Sequence, residues 1–125
     1  MTTAADIVTR AYAKIGIKAE DEALTAYQLS TGLDSLKMML AAWRIHGVDV
    51  IRGALDADTP FPMQPEFEEG VVYNLAARIA VDYNLPVAFD ADSFFRAIQA
   101  AYMQANPATL PGAILRTSSQ VWPGR

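Results

Sequence analysis

The chain predicts a mainly α fold: a compact bundle of about four helices, with an extended loop between helices 2 and 3 and an extended C-terminal arm. Three observations lead there. Apolar residues recur at helical spacing in separate segments. Start and stop signals bracket those segments. The stretches between them are polar or rich in proline and glycine. A chain of 125 residues with 52% apolar and aromatic side chains fits one domain with a rich core, and about two-thirds of the unfolded surface is buried at that size. The expected division is a helical domain over residues 1–105 and a docking arm over 106–125.

Helix 1 begins near Thr3, holds Asp6 in its first turn and ends at Gly16. Ile7, Ala11 and Ile15, with Val8 and Tyr12 beside them, make one apolar face. Gly16 sits where a helix commonly closes on a left-handed residue. Lys18 to Leu24 is a polar, acidic connector. In helix 2, Thr25 with Gln28 three residues later matches a capping box. Leu29, Leu33, Leu36, Leu40 and Trp43 form a stripe suited to a nearly antiparallel neighbour, and Gly47 ends the element. Gly32 inside that helix allows close approach of another backbone.

Residues 48–64 lack a helical pattern. Val48, Val50, Ile51 and Leu55 predict a short extended piece, and Asp56 to Pro62 predicts a turn. Helix 3 starts at Pro65, a residue suited to the first helical position, and runs to about Tyr83. Phe67, Val71, Leu75, Ile79 and Tyr83 line one face, widened by Val72 and Ala76, and Asn84 with Pro86 closes the helix. Helix 4 follows a cap at Asp90 or Asp92 and carries Phe94, Phe95, Ile98, Ala101 and Tyr102 to about Ala105. Asn106 to Ala113 cannot continue a helix. Ile114-Leu115-Arg116 and Val121-Trp122-Pro123 remain as apolar islands in a tail full of helix breakers.

Charge is unevenly spread. The net charge is −4, with six acids against Arg52 alone between residues 47 and 69, and only arginines, Arg116 and Arg125, after residue 105. An acidic body is unsuited to reading a DNA groove, which needs a clustered basic patch. A basic tail suits docking on an acidic partner. There is no cysteine and one histidine, His46, so neither a disulfide nor a conventional zinc site is expected. No apolar run approaches the ~20 residues of a membrane span. The N-terminus lacks signal-peptide character, which predicts synthesis in a cytoplasm.

Catalytic signatures are missing as well. There is no phosphate-cradling glycine loop, nucleophile elbow or paired-histidine helix. Asp56-Ala57-Asp58 begins like a calcium loop but lacks its glycine and distal glutamate. His46 reads as a partner for the C-terminal end of the helix 2 dipole. Glu66, Glu68 and Glu69 suit a helix N-terminus, and no second, buried carboxyl of glycosidase type accompanies them. Arg78 lies beside the core stripe, either in a buried or interface ion pair, with Asp82 four residues on as a candidate partner, or as an ordinary flanking residue. Trp43 belongs to the core. Trp122, with no helical context, reads as an anchor for another chain.

Three stretches, in their order and spacing, resemble a known family. They are the Asp6 to Gly16 opening; Met39-Leu40-Ala41-Ala42-Trp43 with Gly47 after it; and Asn74-Leu75-Ala76 with Arg78-Ile79-Ala80 and Asp82-Tyr83. Across about residues 4–105 the chain is similar to the tail accessory factors, or head-to-tail adaptors, of short-tailed bacteriophages. The resemblance implies a non-enzymatic virion protein at the head-tail junction, made in the host bacterial cytoplasm and needing no cofactor. It implies identical subunits in a dodecameric ring, with portal protein above and a tail nozzle or needle protein below. Packaged DNA would pass through the channel without sequence-specific binding, and no membrane is involved. Ile114, Leu115, Arg116, Trp122 and Arg125 would contact the portal or a neighbouring subunit, a role assigned by position rather than motif. Asp49, Asp56 and Asp58 would form an acidic loop facing the channel or the tail. Two other classes of function are a small carboxylate-dependent peptidoglycan hydrolase and a stand-alone helical regulator.

Overall fold

The fold is mainly helical, as predicted. The computed structural model describes residues 2–18, 22–50 and 54–105, the last two of these by backbone alone. Four helices make up the domain: α1 (Ala4–Lys14), α2 (Ala26–Trp43), α3 (Pro65–Asp82) and α4 (Ala91–Ala105). A 3₁₀ turn, Arg44–His46, extends α2. There is no β-strand among the described residues, so the extended piece expected near Val48 and Val50 forms none there. Ile51, Arg52 and the arm over 106–125 lie outside the described residues.

Local chemistry sets the helix ends. Thr3 caps α1: its hydroxyl accepts from the Asp6 N–H while the Asp6 carboxylate accepts from the Thr3 N–H. Thr25 and Gln28 repeat the arrangement on α2, satisfying donors that a helix start otherwise leaves unpaired. Pro65 opens α3. The Asp90 carboxylate accepts from the Ser93 N–H at the start of α4. Gly16 and Gly47 take φ of +79° and +91° where α1 and the 3₁₀ turn stop. Asn84, at φ +55°, does the same after α3.

Packing follows the apolar stripes. Ile7, Val8, Ala11 and Tyr12 of α1, Leu36, Met39, Leu40 and Trp43 of α2, and Val71, Leu75 and Ile79 of α3 form one core, closed by Ile98 of α4. Leu29 and Leu33 are only partly buried against it. The expected place of Tyr83 on the core face needs correcting. It is 40% exposed, and its ring meets the edge of Tyr12 at 6.1 Å, because α3 ends one residue before it and the chain turns away.

α1 and α2 run in opposite senses, with the Tyr12 hydroxyl donating to the Gln28 carbonyl at 3.1 Å. Gly32 makes their contact close. A Cβ there would overlap Val8 Cγ1 and lie 3.2 Å from Tyr12 Cε2. α4 runs back along α3, pairing Tyr102 with Phe67 and stacking Phe94 on Tyr73.

The loop between α2 and α3 has a structural duty. The Ala57 and Thr59 carbonyls accept from the Ala5 and Ala4 N–H groups at 3.0 Å, and Thr2 accepts from Phe61 at 2.8 Å. The first two bonds satisfy first-turn amides of α1 that lack intrahelical partners. Val48, Val50, Leu55, Phe61 and Met63 of the same loop are buried. The loop therefore roofs the core and caps a helix far away in sequence.

Candidate functional site

The surface of α2 departs most from an ordinary globular domain. Its leucine stripe faces inward, and the opposite side is apolar in the last turns, although Asp34 is exposed on the same line. Tyr27, Met38 and Ile45 are 75%, 64% and 79% exposed, and Ala41 is exposed between the last two. At 100° per residue these positions share one outward line. A helix apolar on both sides is normally buried on both. From α3, Val81 joins this surface at 75% exposure.

Met38 and Val81 form the walls of a cleft of about 430 Å³ between α2 and α3, with Ser35, Arg78 and Asp82 completing the lining. The ion pair considered between Arg78 and Asp82 does not form: neither residue has an ion-pair partner among the described residues. At the 3₁₀ end a second cleft, about 500 Å³, is lined by Ala41, Arg44, Ile45, Gly47 and Asp49. Beyond α3, the turn leading to α4 exposes Leu85 and Val87.

The predicted acidic residues occupy two separate places. Asp49 is half-buried beside the 3₁₀ turn, with its Oδ1 3.4 Å from Arg44 Nε. Asp56 and Asp58 are exposed in the turn that caps α1, where the Thr59 hydroxyl accepts from the Asp56 N–H. The predicted arm contacts Ile114, Leu115, Arg116, Trp122 and Arg125 lie outside the described residues. Trp43 is 6% exposed and packs on Phe95 at 5.0 Å, a core residue as expected.

Several polar candidates serve the fold. His46 is exposed on the 3₁₀ turn, its ring edge-on to Phe95, and its carbonyl accepts from Gln99 Nε2 at 2.8 Å. Glu68 takes a hydrogen bond from the Thr2 hydroxyl at 3.0 Å and an ion pair from Arg10 at 3.4 Å. It ties the start of α3 to α1. Glu66 and Glu69 are exposed at the rim of a cleft of about 230 Å³ between α3 and α4. Among the described residues no cluster of three or more His, Asp or Glu is placed to hold a metal. No described helix is long and apolar enough to cross a membrane.

Among the described residues the strongly shifted group is Tyr12. Burial pushes its hydroxyl pKa up, helped by the hydrogen bond and negative potential of Tyr83 and by Asp82. It sits inside the helix packing, so the shift reports burial rather than a reacting group.

Sequence reasoning singled out the tail and the acidic loop but passed over Met38, Ile45 and Val81. The signal was present. Reading α2 for what lies opposite its leucines finds Tyr27, Met38, Ala41 and Ile45 on one line. The chain matches no protein-family model, and no curated protein is significantly similar to it.

Proposed function

We propose that the chain is a structural virion protein without enzymatic activity: a head-to-tail adaptor that forms a ring under a phage portal, closes the filled head and joins it to the tail. The observation that carries this reading is the apolar outer face of α2 with Val81, exposed in the single chain. Exposed apolar side chains gathered in this way suit a protein–protein contact. A ring gives every subunit two such contacts, and a portal template makes assembly conditional on the right partner. The order of the α1, α2 and α3 sequence segments, similar to the adaptor family, supports the same reading.

On this reading Asp56 and Asp58, repeated around the ring, form negative charge that repels DNA passing through the channel. The arm over 106–125 docks on the portal or a neighbouring subunit, with Ile114, Leu115 and Trp122 as anchors and Arg116 and Arg125 as charge. The direct test mixes purified chain with the portal protein of the same phage and images the product. A ring of chain copies on the portal supports the proposal. A stable closed dimer that ignores portal overturns it and favours a stand-alone regulator. Release of soluble sugar or peptide from peptidoglycan would favour the hydrolase. Truncation after Ala105 is expected to leave helicity and melting nearly unchanged and to abolish portal binding.

A further inference from the structure

We infer that the cleft between α2 and α3 is a socket for Trp122 of a neighbouring copy, so that residues 106–125 of one subunit tie it to the next. The inference rests on the adaptor reading for the presence of neighbouring copies, and it deepens that reading by naming a receiving surface.

The cleft has the chemistry an indole needs. Met38 and Val81 supply exposed apolar walls, and a methionine thioether packs favourably against aromatic rings. Arg78 lines the same cleft without an ion-pair partner among the described residues, leaving its guanidinium free to lie over an aromatic face. Asp82, likewise without an ion pair, can accept from the indole N–H or from Arg125. At about 430 Å³ the cleft falls in the size range of ligand pockets.

The arm is long enough to reach a neighbour. α4 delivers its C-terminal end beside the start of α3 and the 3₁₀ turn, where Tyr102 meets Phe67 and Gln99 meets the His46 carbonyl. The cleft lies toward the other end of α3, at Arg78 to Asp82. Trp122 follows Ala105 by 17 residues. With Pro107 and Pro111 favouring an extended path, that is about 50 Å at ~3.1 Å per residue. A domain of about 100 residues has a radius of gyration near 13 Å, so an extended arm of that length can leave its own domain and reach a neighbouring copy, such as the adaptor ring supplies. The arm carries no acid that Asp82 would repel.

The absence of cysteine from the chain makes the test clean. Full-length Ser35→Cys, at the cleft, is mixed at high concentration with full-length Gln120→Cys, which keeps Trp122, under mild oxidation. Asp82→Cys, on the exposed rim, is a second cleft reporter should Ser35→Cys fold poorly. The expected product is a disulfide between the two different variants, its yield reduced about tenfold by Trp122→Ala, the loss of one hot-spot anchor. Self-linked Ser35→Cys as the main product overturns the inference in favour of a cleft-to-cleft dimer. With Ser35→Cys and Gln120→Cys placed together in one chain, a disulfide confined within single chains overturns it in favour of the molecule's own tail. No cross-link, with both thiols reactive to maleimide, overturns it outright. Portal binding is measured separately on the same variants. Cross-linking without portal binding defeats the adaptor reading and leaves the socket standing; the converse defeats only the socket.

Discussion

Replacing Gly32 with alanine sets two known effects against each other. In a helix interior alanine is favoured over glycine by about 1 kcal/mol. Gly32 is helical, so propensity alone predicts a more stable protein. The structure predicts the reverse. The new Cβ would overlap Val8 Cγ1 and approach Tyr12 Cε2 to 3.2 Å. Neither neighbour yields easily. Val8 is β-branched within α1, where one χ1 rotamer dominates, and Tyr12 is held by its bond to the Gln28 carbonyl. Relief therefore requires α1 and α2 to move apart. Over-packing costs about 1–3 kcal/mol, and a clash with so little give belongs in the upper half. Allowing for propensity, Gly32→Ala is expected to destabilise by about 1–2 kcal/mol.

At roughly 4–8 °C per kcal/mol for a domain of this size, the melting point falls by about 5–15 °C. Circular dichroism at 222 nm during thermal and urea unfolding measures this directly. The sharper assay repeats the substitution in Val8→Ala. Removing the clashing methyls should let the propensity gain through, making Gly32→Ala neutral or stabilising there, with a coupling of about 2 kcal/mol. A stabilising Gly32→Ala in the otherwise native chain, or equal effects in both backgrounds, would refute the close α1–α2 approach.

Three further outcomes follow from the same structure. Leu40 is fully buried, so Leu40→Ala should cost roughly 2–5 kcal/mol in urea unfolding; a loss under about half a kcal/mol would place its stripe outside the core. The raised Tyr12 pKa means the unfolded chain ionises first, so its contribution to stability is complete below about pH 10 and is lost as pH rises beyond. Tyr12→Phe should flatten the fall in urea midpoint between pH 8 and pH 11, and an unchanged slope would remove Tyr12 from the account. Asp56→Asn with Asp58→Asn should shift stability by no more than about 0.5 kcal/mol, as exposed sites do. On the adaptor reading it should slow DNA release from assembled particles; normal release with lost tail attachment would move these residues to the tail-facing side.

What could be read from the sequence was local. The Thr25–Gln28 box, Pro65 at the start of α3 and the left-handed stops at Gly16 and Asn84 each involve residues within a turn or two. Gly32 was also legible, because a glycine on the core side of a helix has few other purposes. Contacts across large separations were not. Nothing in the pattern of residues 56–61 says that their carbonyls finish the first turn of α1, or that Glu68 reaches Thr2 and Arg10. Such pairings are decided by which elements the core brings together. The acidic loop shows the same limit. Asp49 and Asp56 look alike in sequence, yet Arg44 lies against one while the other faces water.

The clearest link from sequence to function runs through the last turns of α2. From Met38 to Trp43 the helix carries no charge on any side, and Arg44 is held by Asp49. The inward residues Met39, Leu40 and Trp43 account for one face by joining the core. The outward residues Met38, Ala41 and Ile45 have no such account, because stability of the single chain is indifferent to whether they are apolar. Polar residues there would serve an isolated domain better, raising solubility without loss of packing. On the adaptor reading their apolar character suits a second burial against another chain. Substitutions at these positions should separate assembly from folding, as substitutions at Leu36 or Leu40 cannot.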